Sequence, residues 1–94
     1  MSYHGTTYQN ALSIVREGFK LEKGKRFAHG RGVYTTPNIS TAEQFARAFT
    51  HERERYIVVV QSRVNPANIR MVSDYWISPG NMDVCPYGLC LKKI

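Results

Sequence analysis

Ninety-four residues make one small domain, able to bury about 60–65% of its unfolded surface and too short for a second core. Apolar residues are 43% of the chain and charged residues 21%, which excludes wholesale disorder and collagen, coiled-coil or mucin-like composition. Thirteen basic against seven acidic residues leave a net charge of +6, and the longest apolar run, Tyr56 to Val60, is far below the ~20 residues that a bilayer requires.

Residues 2–7 are short, polar and β-compatible. Tyr8, Ala11, Leu12 and Val15 then recur at i, i+3, i+4 and i+7, the stripe of an amphipathic helix. Gly18 stands where a glycine ends such a helix, and Phe19 is placed to fold back onto it. Residues 20–31 have no apolar period and carry Lys20, Lys23, Lys25, Arg26 and Arg31 against Glu22, so they form a basic loop. Gly32 to Thr36 is a β-branched and aromatic strand stopped by Pro37-Asn38. Ser40-Thr41-Ala42-Glu43 has the form of a capping box, and Ala42, Phe45, Ala46 and Phe49 predict a second helix that frays in the charged run 51–55.

The apolar run at 56–60 predicts a strand buried on both faces, relaxing into alternation at Val60, Ser62 and Val64. After a turn at 65–68, short strands are expected around 70–72 and 75–77, where Tyr75 and Trp76 read as core or as a contact surface. Pro79-Gly80-Asn81 turns the chain into a last strand, Cys85 to Leu91, with Tyr87, Leu89 and Leu91 on one face. Cys85 and Cys90 are an odd number of residues apart, so strand alternation predicts opposite faces and two free thiols, as in a reducing compartment. There is no C-x-x-C, and His4, His29 and His51 are widely spread, so no metal is expected. The opening Met1-Ser2-Tyr3-His4 has neither the basic nor the apolar region of a signal peptide, which favours an intracellular location, cytoplasmic or nuclear. The sum is a single β-rich α+β domain over 1–94 with two helices, expected to be a monomer without a membrane partner.

Two small motifs carry chemistry. In Tyr3-His4-Gly5-Thr6 an imidazole sits beside an unshielded backbone that can donate to and accept from a flat amide. In Gly30-Arg31-Gly32-Val33-Tyr34 glycines feed a strand with a tyrosine two places in, without the spacing or βαβ setting of a dinucleotide-binding fingerprint. Taken in order with the helix ending in Gly18-Phe19, the basic loop and the Ser40 to Phe45 segment, these motifs resemble the poly(ADP-ribose) polymerase-like ADP-ribosyltransferases over most of residues 2–64.

The resemblance implies split antiparallel sheets with two helices, NAD as co-substrate, and cleavage of the nicotinamide–ribose bond with transfer of one ADP-ribose to a protein or nucleic-acid acceptor. It implies that the Gly5 backbone clamps the carboxamide, His4 bonds a ribose hydroxyl, Thr6 supports the nucleotide, and Tyr34 and Phe45 stack on the nicotinamide. Ala42 stands where many members carry a serine, and Arg31 and Gly32 border the nucleotide, with loop cations facing its phosphates. The family's glutamate is replaced, and the register that best aligns the last strand puts Tyr87 there, giving a His4, Tyr34 and Tyr87 set. A phenol offers less charge stabilisation than a carboxylate, so chain elongation is not expected. Asp83, the nearest acid, is about 13 Å away along a strand. The alternatives are an inactive NAD- or ADP-ribose-binding relative and, from net charge, nucleic-acid-directed ADP-ribosylation or removal of an RNA 2′-phosphate.

Overall fold

The computed structural model describes residues 1–20 and 32–94. Its elements are β1 (Ser2–Gly5), α1 (Tyr8–Glu17), β2 (Val33–Thr35), α2 (Ile39–Glu43), β3 (Phe49–His51), β4 (Glu54–Val64), β5 (Arg70–Val72), β6 (Tyr75–Ser78) and β7 (Val84–Lys93), with a 3-10 turn at Asn81–Asp83. All strand pairs are antiparallel and fall into two sheets. The larger is built on β4, which pairs β1 and β3 and also pairs β7. The smaller has the order β2, β6, β5. The α+β class and the two helices therefore agree with the sequence reading.

Facing residues of antiparallel neighbours share a side of the sheet. Val58, Val60 and Ser62 of β4 accordingly share one face with His4 and Leu89, both partners of Val60, and with Ser2, the partner of Ser62. That face holds the main core, in which Val58, Val60, Val33, Val84 and Phe19 pack with Ala11 and Ile14 of α1. The helix turns a different stripe inward than expected. Ala11 and Ile14 face the core, whereas Val15 is exposed and Tyr8 leaves the stripe to stack on Phe49 at 4.5 Å. Thr7 caps α1 by accepting from the Asn10 amide, and Gly18 ends it at φ +83°, donating to the Ile14 carbonyl at 2.7 Å. Phe19 is buried beneath it, as the sequence predicts.

α2 covers the opposite face, where Ile39 and Glu43 border Ile57, Val59 and Cys90. The helix is only one turn long, and the capping box does not form. Asn38 is the cap, accepting from the Ser40 amide at 2.9 Å, while Glu43 pairs with Lys92 at 2.9 Å. Phe49 lies on β3, not on a continued helix, and packs beside Tyr8 and Tyr56. The charged run is a tight hairpin turn. Glu52 and Arg53 both have positive φ (49° and 68°) between the paired His51 and Glu54, as a type I′ turn demands.

β7 contains one extra residue. Its pairing passes from Gly88 opposite Gln61 to Pro86 opposite Ser62, leaving Tyr87 in a bulge. The bulge shifts the alternation by one place. Cys85 and Cys90 oppose Arg63 and Val59, four places apart on β4, so they share a face instead of opposing one another. Roughly 13 Å of strand still separates them, too far for a bridge, and both are free thiols. Leu89 packs on the core, but Tyr87 and Leu91 are exposed, so they do not share its burial.

Candidate functional site

Among the described residues, the two sheets are joined by one backbone pair. Tyr3 and Thr36 exchange both backbone hydrogen bonds, at 2.7 and 2.9 Å, and the ladder goes no further. Because backbone groups alternate sides along a strand, His4 turns its N–H and C=O toward β4, while Gly5 turns its own to the side that Tyr3 uses. Extending the bridge register by two residues would set Gly5 against Tyr34. The strands part there instead, and a notch opens between them.

His4 spans this notch. Its Nδ1 lies 2.9 Å from the Tyr34 carbonyl oxygen. A carbonyl only accepts, so Nδ1 carries the proton and Nε2 of the neutral ring is an acceptor. Burial lowers the ring's pKa below its ordinary 6.5, outweighing the carbonyl, which acts the other way, so the ring is neutral at pH 7. Phe19 fixes its orientation from the side, in a perpendicular contact at 5.3 Å.

Gly5 is held just as closely. A Cβ there would collide with the Ala42 carbonyl and come within 2.9 Å of the Ala46 nitrogen, so only glycine lets the end of α2 close over β1. The Thr6 carbonyl accepts from the Arg47 amide at 3.2 Å, and its hydroxyl accepts from Asn10 at 3.4 Å, which ties the next residue down on both sides. At Gly32 a Cβ would strike the Ile77 side chain, so that glycine admits β6 beside β2.

Aromatic rings gather on the far side of the notch. Tyr34 on β2 lies 5.9 Å from Tyr75 on β6, and Tyr75 lies 6.1 Å from Phe45, which follows α2. Phe45 is 54% exposed and so lies outside the core. Ala42 is buried against Gly5 and presents no hydroxyl. His4, Gly5, Tyr34, Ala42 and Phe45 thus belong to one neighbourhood. Arg31 and the loop cations Lys23, Lys25 and Arg26 lie outside the described residues, while Lys20 pairs with Glu17 at 3.4 Å.

Tyr87 sits in the β7 bulge, 62% exposed, with its ring stacked under Arg63 at 5.3 Å. Arg63 lies on the face that α2 covers, opposite to that of His4. Asp83 is occupied elsewhere, accepting from Asn65 and Asn68 at 3.2 and 2.9 Å.

Sequence reasoning missed two residues here. Tyr75 touches both other rings, and Asp74 precedes it in the two-residue turn from β5 to β6. Among the described residues, Asp74 is the acid without a hydrogen-bond or ion-pair partner; the other five have one each at least. The available signal was the aromatic pair Tyr75-Trp76, which reads as core or as a contact surface. Among the described residues no three His, Cys, Asp or Glu side chains gather as a metal site would need. No helix there is long and apolar enough to cross a membrane. Comparison with known families, curated proteins and solved structures finds no match to this chain.

Proposed function

We propose that the protein is an NAD-dependent mono-ADP-ribosyltransferase of the kind its motifs resemble. The observation that carries the reading is the parting of β1 and β2 just past the Tyr3–Thr36 bridge, which leaves the Gly5 backbone edge facing a notch that His4 spans. An amide group fits such an edge, since one N–H and one C=O on the same side answer its C=O and NH₂. Tyr34 and Phe45 offer ring faces beside it, and His4 Nε2 offers an acceptor for a ribose hydroxyl.

In the reaction the bond from ribose C1′ to the nicotinamide nitrogen breaks. Its electron pair leaves with the pyridine ring, which departs neutral and needs no acid. Positive charge builds at C1′, as in glycoside cleavage, and the acceptor's lone pair then bonds to C1′ while its proton passes to a base or to water. Holding the amide, ring and ribose in place supplies the first step. A carboxylate near the ribose steadies the charge and takes the proton. Tyr87 supplies no carboxylate, and Asp74, next to Tyr75 of the ring cluster and without a partner among the described residues, is the acid proposed for that role.

Incubation with NAD and mixed protein and oligonucleotide acceptors, followed by mass spectrometry, tests the reading. Nicotinamide release together with an ADP-ribose adduct supports it. A second reading, NAD binding without transfer, is favoured by the absence of a carboxylate at Tyr87. Binding without release would select it, and the expected acceptor would then play no part.

A further inference from the structure

We propose that the protein pairs with a second copy of itself along the outer edge of β7, as two antiparallel strands centred on Leu91. This departs from the monomer expected from the sequence and does not rest on the reading above. β1 and β7 both pair with residues 59–62 of β4, so they flank it from opposite sides. Among the described residues, no strand pairs with the far side of β7. The direction of its backbone groups follows from the bonds at either end. Tyr3 uses both of its groups on Thr36, so its partner Gln61 turns its own away from β1 and toward Gly88. At the other end, the Ile94 amide donates to the Arg55 carbonyl at 2.9 Å. Alternation between these ends gives Gly88, Cys90, Lys92 and Ile94 to β4. The N–H and C=O groups of Leu89, Leu91 and Lys93 then point outward, in a row along an open strand edge.

That row is complementary to itself. Antiparallel pairing about Leu91 sets Leu91 against Leu91 and Leu89 against Lys93 of the second copy, and every outward group gains a partner. The two Leu91 side chains then meet at about 5 Å on one face of the joined sheet. Leu91 is 62% exposed, although its partner across the ladder, Val58, is fully buried. Charge selects the register. A centre at Lys93 opposes lysine to lysine, and a centre at Leu89 draws the Tyr87 bulge into the pairing. About Leu91, Lys92 faces Cys90 and Lys93 faces Leu89. Both lysines are also ion-paired within their own chain at 2.9 Å, to Glu43 and Glu54. Pro86 and the bulge guard the first half of the edge, so pairing is confined to the second. This match of the row to itself, in spacing and in charge, selects a second copy as the occupant, and the twofold arrangement closes at two. The notch lies on β1, across β4 from the interface, and stays open.

A pairing over residues 89–93 falls below the roughly 1,200 Å² of a stable interface, so the dimer should dissociate on dilution. Sedimentation velocity between about 5 and about 500 μM should show the mass rise from 10.8 kDa toward twice that value. Leu91→Lys opposes two lysines at the centre and should stay monomeric. Leu91→Pro removes an outward N–H while leaving the ladder to β4 complete, and should also stay monomeric. Met82→Lys, at a fully exposed position outside the pairing, should dimerise as the wild type does. A wild type that is monomeric throughout, or a dimer that survives Leu91→Lys, overturns the proposal. A second measurement needs no variant. The Leu91 amide should exchange with solvent several-fold more slowly at the high concentration than at the low one; equal rates overturn the proposal.

Discussion

The imidazole of His4 donates from Nδ1 to the carbonyl oxygen of Tyr34 across the gap where β1 and β2 separate. One side chain thus joins the two strands where the ladder stops, and it does so with Nδ1, which leaves Nε2 as an acceptor. The bond makes His4 a structural residue of the candidate site.

His4 should therefore leave a mark on the pH dependence of stability. Its folded pKa lies below the unfolded 6.5, so between those values the unfolded chain binds more protons than the folded one. Its contribution is complete above pH 6.5 and is lost as pH falls through that window toward the folded value. Urea titrations at stepped pH should show the midpoint falling below pH 6.5. His4→Phe should remove this part of the slope and cost about 1–3 kcal/mol at pH 7, because the Tyr34 carbonyl loses its donor.

Gly5→Ala should be the most damaging small change in the chain. The added methyl meets the backbone of Ala42 and Ala46, which cannot rotate away, and overpacking of this kind costs about 1–3 kcal/mol or more. Gly88→Ala meets nothing within 4 Å and should be neutral or slightly stabilising. A comparison of the two midpoints in urea checks the difference.

In the proposed reading Asp74, which the sequence analysis does not single out, takes the role expected of Tyr87. Asp74→Asn should lower the rate of ADP-ribose transfer by about 100-fold or more, with benzamide affinity unchanged. Tyr87→Glu should leave the rate as it was, since the new carboxylate would pair with Arg63, whose guanidinium already lies 5.3 Å from the ring it replaces. Transfer that rises in Tyr87→Glu and survives Asp74→Asn would return the acid to β7.

The turn at Glu52-Arg53 holds two ordinary residues in a left-handed conformation, each at a cost of roughly 1–2 kcal/mol. Replacing the pair by Asn-Gly, the residues such a turn prefers, should raise stability by about 1–2 kcal/mol without touching the site. Thermal melting of the double variant reads this directly.

These cases also mark what the sequence makes legible. β2, the centre of β4 and α1 with its glycine end follow from local signals, because β-branched runs and a helix-ending glycine act over a few residues. His4, Gly5, Tyr34 and Phe45 could be singled out by motif. The extent of α2 could not. Ala42, Phe45, Ala46 and Phe49 match a helical period, yet Phe49 is drawn into β3, where Tyr8 and Tyr56 pack beside it. Nor does any turn residue announce Glu52-Arg53. The bulge at Tyr87 is silent as well, and it alone reverses the parity on which the placement of Tyr87 and the two cysteines depended. Such misreadings share a cause: each position is settled by a neighbour distant in the chain.

Among the described residues, β1, β3 and β7 each hydrogen-bond to β4 and none of the three to another. β1 therefore has no partner in that sheet to fall back on, and opening β4 would release the His4 strand, the hairpin and the C-terminal strand in a single event. Amide protons at 58–62 should exchange with solvent only when the whole molecule unfolds, and the geometry of the notch should persist at full strength or vanish altogether.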